Sequence, residues 1–462
     1  MTDTNQKHEP THNSDTVADE VGGVVKEVPA AREPKQEQSM WKWTIVAVAA
    51  IALVVGLSVG LTVRDDDSSD DGPDVTTLWL AVGRPVTEDL SVREAPADVY
   101  FEQFDLSSNG KTLIVAGLSA DFTPQMEWHE WENDTWVHQS TLNLGDAHTT
   151  SHPVVYLAGD APLVIVADEK AFEAIPFNAD GSLSLPTIPG VDLATGEFWG
   201  LFRVYELTPG DVEDEVPRFT LRLEEPTRDM WGASVAVDDA GVRMVVGSPM
   251  EDADGVTNAG MLQAYDLDMT TELTPIGSPL FGQDTFDALG AADIALSSDG
   301  ATLVAGVPLE RFQRDSRGQV RVWRWVEGDW EEEVIVPANE VPPTLMGKAG
   351  QGLGHKVHLN QDGTVLAATT LLTNEVLVYS FTDGAWIQMG EPLSGSDVHL
   401  SPDGTSIAVV DEDAVQVYDW VNDMWIPVGD SIPGTSARLT DDYRVVIQYQ
   451  GAVRTWTRVG FV

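Results

Sequence analysis

From residue 104 onward, short stretches in which apolar and polar residues alternate end in turn sequences, and the same order of stretches keeps returning. The first part of the unit is FDLSSNG (104–110), VAVDDAG (235–241), IALSSDG (294–300), VHLNQDG (357–363), VHLSPDG (398–404) and ARLTDDY (437–443). A β-branched run follows each, for example TLIVAG, RMVVGSP or TLVAGVP. An aromatic-bearing alternation such as QVRVWRW, VLVYSF or AVQVYDW comes next, and after a tight turn a Trp-led segment such as WIPVG. Alternation with period two predicts strands, and the polar punctuation predicts hairpins, so each unit reads as a four-stranded antiparallel sheet.

The last hairpin of the unit carries its own signature. A two-residue loop centred on Asn133 and Asp134 places directly opposite each other any residues whose numbers sum to 267, as those of Trp131 and Trp136 do. The arithmetic recurs for Trp325 and Trp330 around Glu327-Gly328, for Phe381 and Trp386 around Asp383-Gly384, and for Trp420 and Trp425 around Asn422-Asp423. Repetition at equivalent places in successive units favours a structural fastening over a ligand-stacking platform, which needs one special pair.

Unit turns fall near residues 110, 160, 241, 300, 363, 404 and 442, with VVYLAGDAPLVIVAD (154–168) as a degenerate member. The wide interval from 160 to 241 implies an insertion at about 169–199, after which LFRVYEL and RFTLRLE supply the third and fourth strands. Each unit buries a face only against its neighbours, so a radial array is the economical architecture. The expected fold is all-β, a seven-bladed β-propeller over residues 77–462. The final unit stops after AVRTWTRVGFV without a fourth strand, whereas TLWLAVGRPV (77–86) is an orphan of that type. The propeller is therefore expected to be closed by this N-terminal strand, which removes exposed sheet edges.

Ahead of the repeats the pattern changes. Residues 43–63 form 21 consecutive uncharged and mostly apolar positions, about 30 Å as a helix, which predicts a transmembrane helix over 41–63. Lys26, Arg32, Lys35 and Lys42 precede it and only Arg64 follows within twenty residues, so the N-terminus is expected in the cytoplasm and the propeller outside or in a lumen. Residues 1–40 read as a disordered cytoplasmic tail and 64–76 as an acidic stalk. Ala52, Gly56 and Gly60 share one face of the helix, a candidate packing surface for a homodimer.

Composition narrows the partners. Lys and Arg number 26 against 75 Asp and Glu, a formal charge of −49, which repels nucleic acid and anionic headgroups. With no cysteine, disulfides, thiolate metal sites and Cys nucleophiles are excluded.

The segments MWGASVAVDDAGVRMVVGSP, LGAADIALSSDGATLVAGVP and LGHKVHLNQDGTVLAAT resemble the FG-GAP repeat of integrin-α-type β-propellers. Gly232, Gly290 and Gly354 stand at the motif glycine, while Trp231, Leu289 and Leu353 replace its leading Phe. LSPDG with VQVYDW also looks like WD40 propellers. The FG-GAP resemblance implies loops that bind proteins or matrix-like ligands, often with calcium in the blade loops. SPMEDADGVTNAG aligns Asp252, Asp254 and Asn258 with the later part of such a calcium loop, although Met250 occupies the first acidic position.

His129 and His138 also sum to 267 and face each other across the first hairpin, with His148 and His152 soon after, yet no spacing brings the second pair to the first, so no zinc site is assigned. Asn133-Asp134-Thr135 is a glycosylation sequon at an exposed turn. No nucleophile elbow, phosphate loop or metalloprotease helix appears. The leading expectation is a single-pass membrane protein whose propeller binds a protein or glycan ligand without catalysis. A hydrolase or lyase with a central-channel site, and a structural surface protein, are the alternatives.

Overall fold

The structure is a computed structural model. It describes residues 76–87, 103–118, 124–144, 154–167, 191–192, 197–198, 200–208, 218–227, 231–253, 255–267, 273–285, 287–308, 316–333, 345–440, 442–450 and 452–461. The expected tail, transmembrane helix and most of the acidic stalk lie outside these residues. The described residues are all-β, arranged as seven four-stranded antiparallel sheets, one of which carries a short fifth strand. Blade 1 runs outward from Gln103–Leu106 and blade 2 from Val154–Leu157. Blade 3 begins at Val235–Val237, blade 4 at Ile294–Leu296 and blade 5 at Leu353–Leu359. Blade 6 starts at Asp397–Leu400 and blade 7 at Ser436–Leu439. In blade 7 the outermost strand is Thr76–Thr87, antiparallel to Ala452–Phe461 with Trp79 opposite Arg458. In blade 2 the third and fourth strands are Gly200–Thr208 and Arg218–Thr227, and the preceding insertion contains a small ribbon of Val191–Asp192 with Glu197–Phe198.

Burial follows from the alternation. Each blade presents one apolar face to each neighbour, and seven separate buried clusters result, each shared by two successive blades. Val304, Val320 and Val322 of blade 4, for instance, meet Val357, Leu366 and Trp386 of blade 5. The ring closes in the same way, where Val446 and Val453 of blade 7 meet Phe104, Leu113 and Trp136 of blade 1. Trp136 donates its indole N–H to Thr455 Oγ1 at 2.8 Å across this junction, and Trp79 donates to the Val428 carbonyl at 3.0 Å across the previous one.

The motif glycines have a specific packing reason. Gly290 and Gly354 adopt φ of 91° and 96°, and a Cβ there would lie 2.8 Å from Gly247 Cα and 2.9 Å from Gly306 Cα, in the second strand of the preceding blade. A glycine pair thus lets two blades touch backbone to backbone at both junctions.

The four aromatic hairpins form with the expected register: Trp131 opposite Trp136, Trp325 opposite Trp330, Phe381 opposite Trp386 and Trp420 opposite Trp425. Ring centroids lie 5.0, 4.9, 5.4 and 5.0 Å apart. Both loop residues have positive φ in all four turns, including Asn133 at 48° and Asp134 at 60°, as the mirror-image turn of a two-residue hairpin requires. Arginines then reach from one blade to the aromatic of the next. Arg243 lies 4.1 Å from the Trp325 ring centroid, Arg324 4.7 Å from Phe381 and Arg444 4.6 Å from Trp131.

Candidate functional site: the central channel

The innermost strand of every blade has a neighbour on one side only, and alternation sends every second side chain into the space they enclose. The residue at the middle of each strand is the equivalent one: Asp105, Tyr156, Ala236, Ala295, His358, His399 and Arg438, flanked by buried or half-buried apolar residues. Together with the residues two positions earlier, among them Asp293, Lys356, Asp397 and Ser436, they line a cavity of about 650 Å³. Its volume falls within the roughly 300–1,000 Å³ of small-ligand pockets.

A free strand edge leaves backbone N–H groups that need acceptors. Three channel side chains supply them, each for the next blade. Asp105 Oδ2 accepts the Leu157 N–H at 2.8 Å, His358 Nδ1 accepts the Leu400 N–H at 3.2 Å, and His399 Nδ1 accepts the Leu439 N–H at 3.2 Å. Arg438 donates from Nε to Asp105 Oδ1 at 3.3 Å, joining blade 7 to blade 1. One wall of the channel, over blades 5, 6, 7 and 1, is therefore a continuous arc of polar side chains. Blades 3 and 4 contribute only Ala236 and Ala295 at the same level, which leaves space opposite the arc.

These bonds determine the state of the histidines. A backbone amide only donates, so Nδ1 of each ring is an acceptor, and the proton of the neutral imidazole sits on Nε2. Burial within the channel wall, with the nearby Arg438 charge, lowers the His358 pKa to about 3, partly countered by Asp293. Burial, His358 and Arg438 hold His399 well below the ordinary imidazole value. The two rings lie 3.9 Å apart between centroids, tilted by 45°. Both present Nε2–H as a hydrogen-bond donor, and neither is a strong base at neutral pH.

At the level before the arc, Lys356 Nζ lies 3.8 Å from Asp293 Oδ2. Where the innermost strands end, the turns are stitched to one another. Asp239 N donates to the Ser298 carbonyl, Ser298 N to Gln361 and Gln361 N to Pro402, at 3.1, 2.9 and 3.0 Å. Ser108 Oγ donates to Asp239 Oδ1 at 2.7 Å, and burial, helped by Asp160 and Asp238, raises the Asp239 pKa despite that bond.

The residues singled out from the sequence lie elsewhere. Asp252 is exposed, and its Oδ1 accepts the Asn258 N–H at 2.7 Å, closing the turn that contains the Ala253–Val256 bridge. Asp254, the remaining calcium candidate, lies outside the described residues, as do Ala52, Gly56 and Gly60 of the expected helix-packing face. Asn133 is exposed at its hairpin turn. His129 and His138 face each other with ring centroids 5.3 Å apart, but His129 is turned to Glu127 at 3.1 Å and His138 to Thr141 at 2.8 Å, and His148 and His152 fall outside the described residues. Among the described residues no group of three or more His, Asp or Glu side chains is placed to hold a metal ion. The channel arc was missed, although its signal stood in the repeat itself: FDL, VHL, VHL and ARL carry a polar residue at the centre of an otherwise apolar triplet.

The fold belongs to the seven-bladed β-propellers. No family model matches the chain, and no curated protein matches it. Among solved structures, a chain of the mitotic checkpoint complex is similar at 12% identity and a TM-score of 0.45, covering 87% of this chain and 99% of that one. A candidate 6-phosphogluconolactonase from Bacteroides fragilis is similar at 15% identity and a TM-score of 0.43, covering 80% and 97%. Another from Bacteroides uniformis is similar at 13% identity and a TM-score of 0.43, covering 72% and 84%. Likeness at this level carries nothing about activity.

Proposed function

We propose that this protein is a single-pass membrane propeller that acts as a noncatalytic binding module, taking part of a glycan or protein ligand into its central channel. The observation that carries the reading is the Nδ1 bonding of His358 and His399, at 3.2 Å each, which turns the channel's two imidazoles into hydrogen-bond donors rather than proton acceptors. A hydrolase or lyase working through these imidazoles would need one of them poised as a base, whereas a receptor needs oriented donors and acceptors around a polar cavity. The apolar run at 43–63 and the charge asymmetry around it support a membrane anchor with the propeller outside or in a lumen. The glycines at 290 and 354, at their close inter-blade contacts, support the FG-GAP-like reading of the repeat, with Asp252, Asp254 and Asn258 as the calcium candidates in a blade loop.

The test compares full-length protein in lipid nanodiscs with an Ala295→Trp variant, whose indole would fill the channel, on a glycan and peptide array with and without calcium. Binding by the parent and loss by the variant is expected. Equal retention by both would move the ligand site off the channel, and no retention by either would end the binding-module reading. Protease digestion of sealed vesicles should spare the propeller from the cytoplasmic side.

A further inference from the structure

Three neighbouring blades place donors side by side on one wall of the channel: His358 Nε2–H on blade 5, His399 Nε2–H on blade 6 and Nη2 of Arg438 on blade 7, whose Nε and Nη1 donate to Asp105, Ser436 and the Ala437 carbonyl. The acceptor positions of these rings are already used by backbone amides, so the arc calls for oxygen acceptors from a ligand. A metal ion is a poor occupant, because ligation through Nε2 would require removing the proton that the Nδ1 bond holds there.

Charge separates the remaining ligand classes. Arg438 is answered by Asp105 at 3.3 Å and Lys356 by Asp293 at 3.8 Å, and both histidines are neutral. What is left over is carboxylate, Asp397, two residues before His399 on the same strand and therefore on the same channel-facing side, and Asp239 in the turns at the strand ends. The site thus carries no excess positive charge, in a chain of net charge −49. A carboxylate, sulfate or phosphate would enter a field that repels it, and a cation would face a row of donors beside an ammonium. An uncharged molecule rich in hydroxyls satisfies both halves, since its oxygens accept from the arc while its O–H groups donate to Asp397.

We propose that the arc of His358, His399 and Arg438, with Asp397, is a binding site for an uncharged polyhydroxylated ligand, a neutral sugar or the neutral terminal residue of a glycan. The inference rests on the channel-binding reading above and specifies its ligand chemistry. The variant that tests it is His358→Asn combined with His399→Asn. Asparagine Oδ1 stands where Nδ1 stood and still accepts the Leu400 or Leu439 N–H, but Nε2–H is gone.

The experiment is ligand-observed saturation-transfer NMR on full-length protein in nanodiscs, with glucose, galactose, mannose, N-acetylglucosamine, glucuronate and methyl sulfate as separate probes, and with melting temperature measured for each variant. At least one neutral sugar should bind, its affinity falling at least tenfold in the double variant and in Asp397→Asn, while the melting temperatures stay within a few degrees of the parent. A neutral sugar held equally by parent and double variant would overturn the proposal. Glucuronate or methyl sulfate bound in preference to every neutral sugar, and lost in the double variant, would overturn the neutral-ligand assignment while leaving the channel as the binding site. Silence from all six probes would overturn the neutral-sugar proposal, while the channel-binding reading would fall only with the array.

Discussion

The hairpins at the rim and the strands at the centre of this propeller treat their equivalent positions in opposite ways. At the rim, four blades repeat one solution, an aromatic pair across a two-residue turn, with centroids 4.9–5.4 Å apart, and three of these pairs receive an arginine from the preceding blade. At the channel, the seven equivalent positions hold Asp, Tyr, Ala, Ala, His, His and Arg. A position that stabilises every blade by the same contact gains from repetition, because each unit poses the same packing problem. A position that faces a shared central space has no such reason to repeat, and its diversity produces one asymmetric polar wall.

If that contrast is right, the largest stability losses belong to the rim. Trp386 is 2% exposed and packs with the cluster between blades 4 and 5. Trp386→Ala should cost about 3–5 kcal/mol by denaturant unfolding; a loss under about 1 kcal/mol would show that the aromatic hairpins are ornamental.

The channel histidines act on stability through protonation. Their pKa is lowered by folding, so the unfolded chain binds more protons, and stability is full above the ordinary value of 6.5 and falls as pH drops from there toward about 3 for His358. The slope is at most about 1.4 kcal/mol per pH unit for each histidine, lessened by channel water. Arg438 disfavours the charged form of both rings and Asp293 favours that of His358, while Asp397 and Lys356 line the same channel. Carboxylates held low by hydrogen bonds, such as Glu375 with Thr373 and Gln351, lose their contribution only at more acid pH. Unfolding free energy measured from pH 7 to 5 should therefore decline in the parent and stay flatter in the His358→Asn, His399→Asn double variant; parallel curves would refute the assignment of neutral rings.

Arg444 tests the inter-blade contact. It donates from Nη2 to the Gly110 carbonyl at 3.0 Å and from Nε to Asp442 at 2.8 Å, while lying over Trp131. Arg444→Met should cost about 2 kcal/mol, and a double-mutant cycle with Trp131→Leu should show coupling between the two. The smallest effect is expected at Asn133, exposed with φ of 48°, where Asn133→Ala should cost about 1 kcal/mol from the left-handed backbone alone. If the parent chain is expressed through a secretory membrane, the same change should also remove a glycan-sized mass.

The rim was legible because its information is local. Turn residues and the aromatics on either side of them lie within six positions of one another, so register follows from counting, and Trp131 with Trp136 needed no knowledge of the rest of the chain. Seven unit turns likewise pointed to seven blades, including the degenerate one at 154–168. The channel was not legible in the same way. His358 and His399 are 41 positions apart in sequence, yet their rings lie 3.9 Å apart. Arg438 and Asp105 are separated by 333 positions and meet only because blade 7 abuts blade 1.

Sequence alone determined the repeating unit, its strand periodicity, the hairpin registers and the all-β propeller class, since each of these is set by residues a few positions apart acting through backbone geometry and alternation. Only the tertiary structure decided which polar side chains share the channel, which imidazole nitrogen carries the proton and how the charges pair. Those outcomes depend on ring closure, which brings distant strands within hydrogen-bond reach and draws their side chains partly out of water.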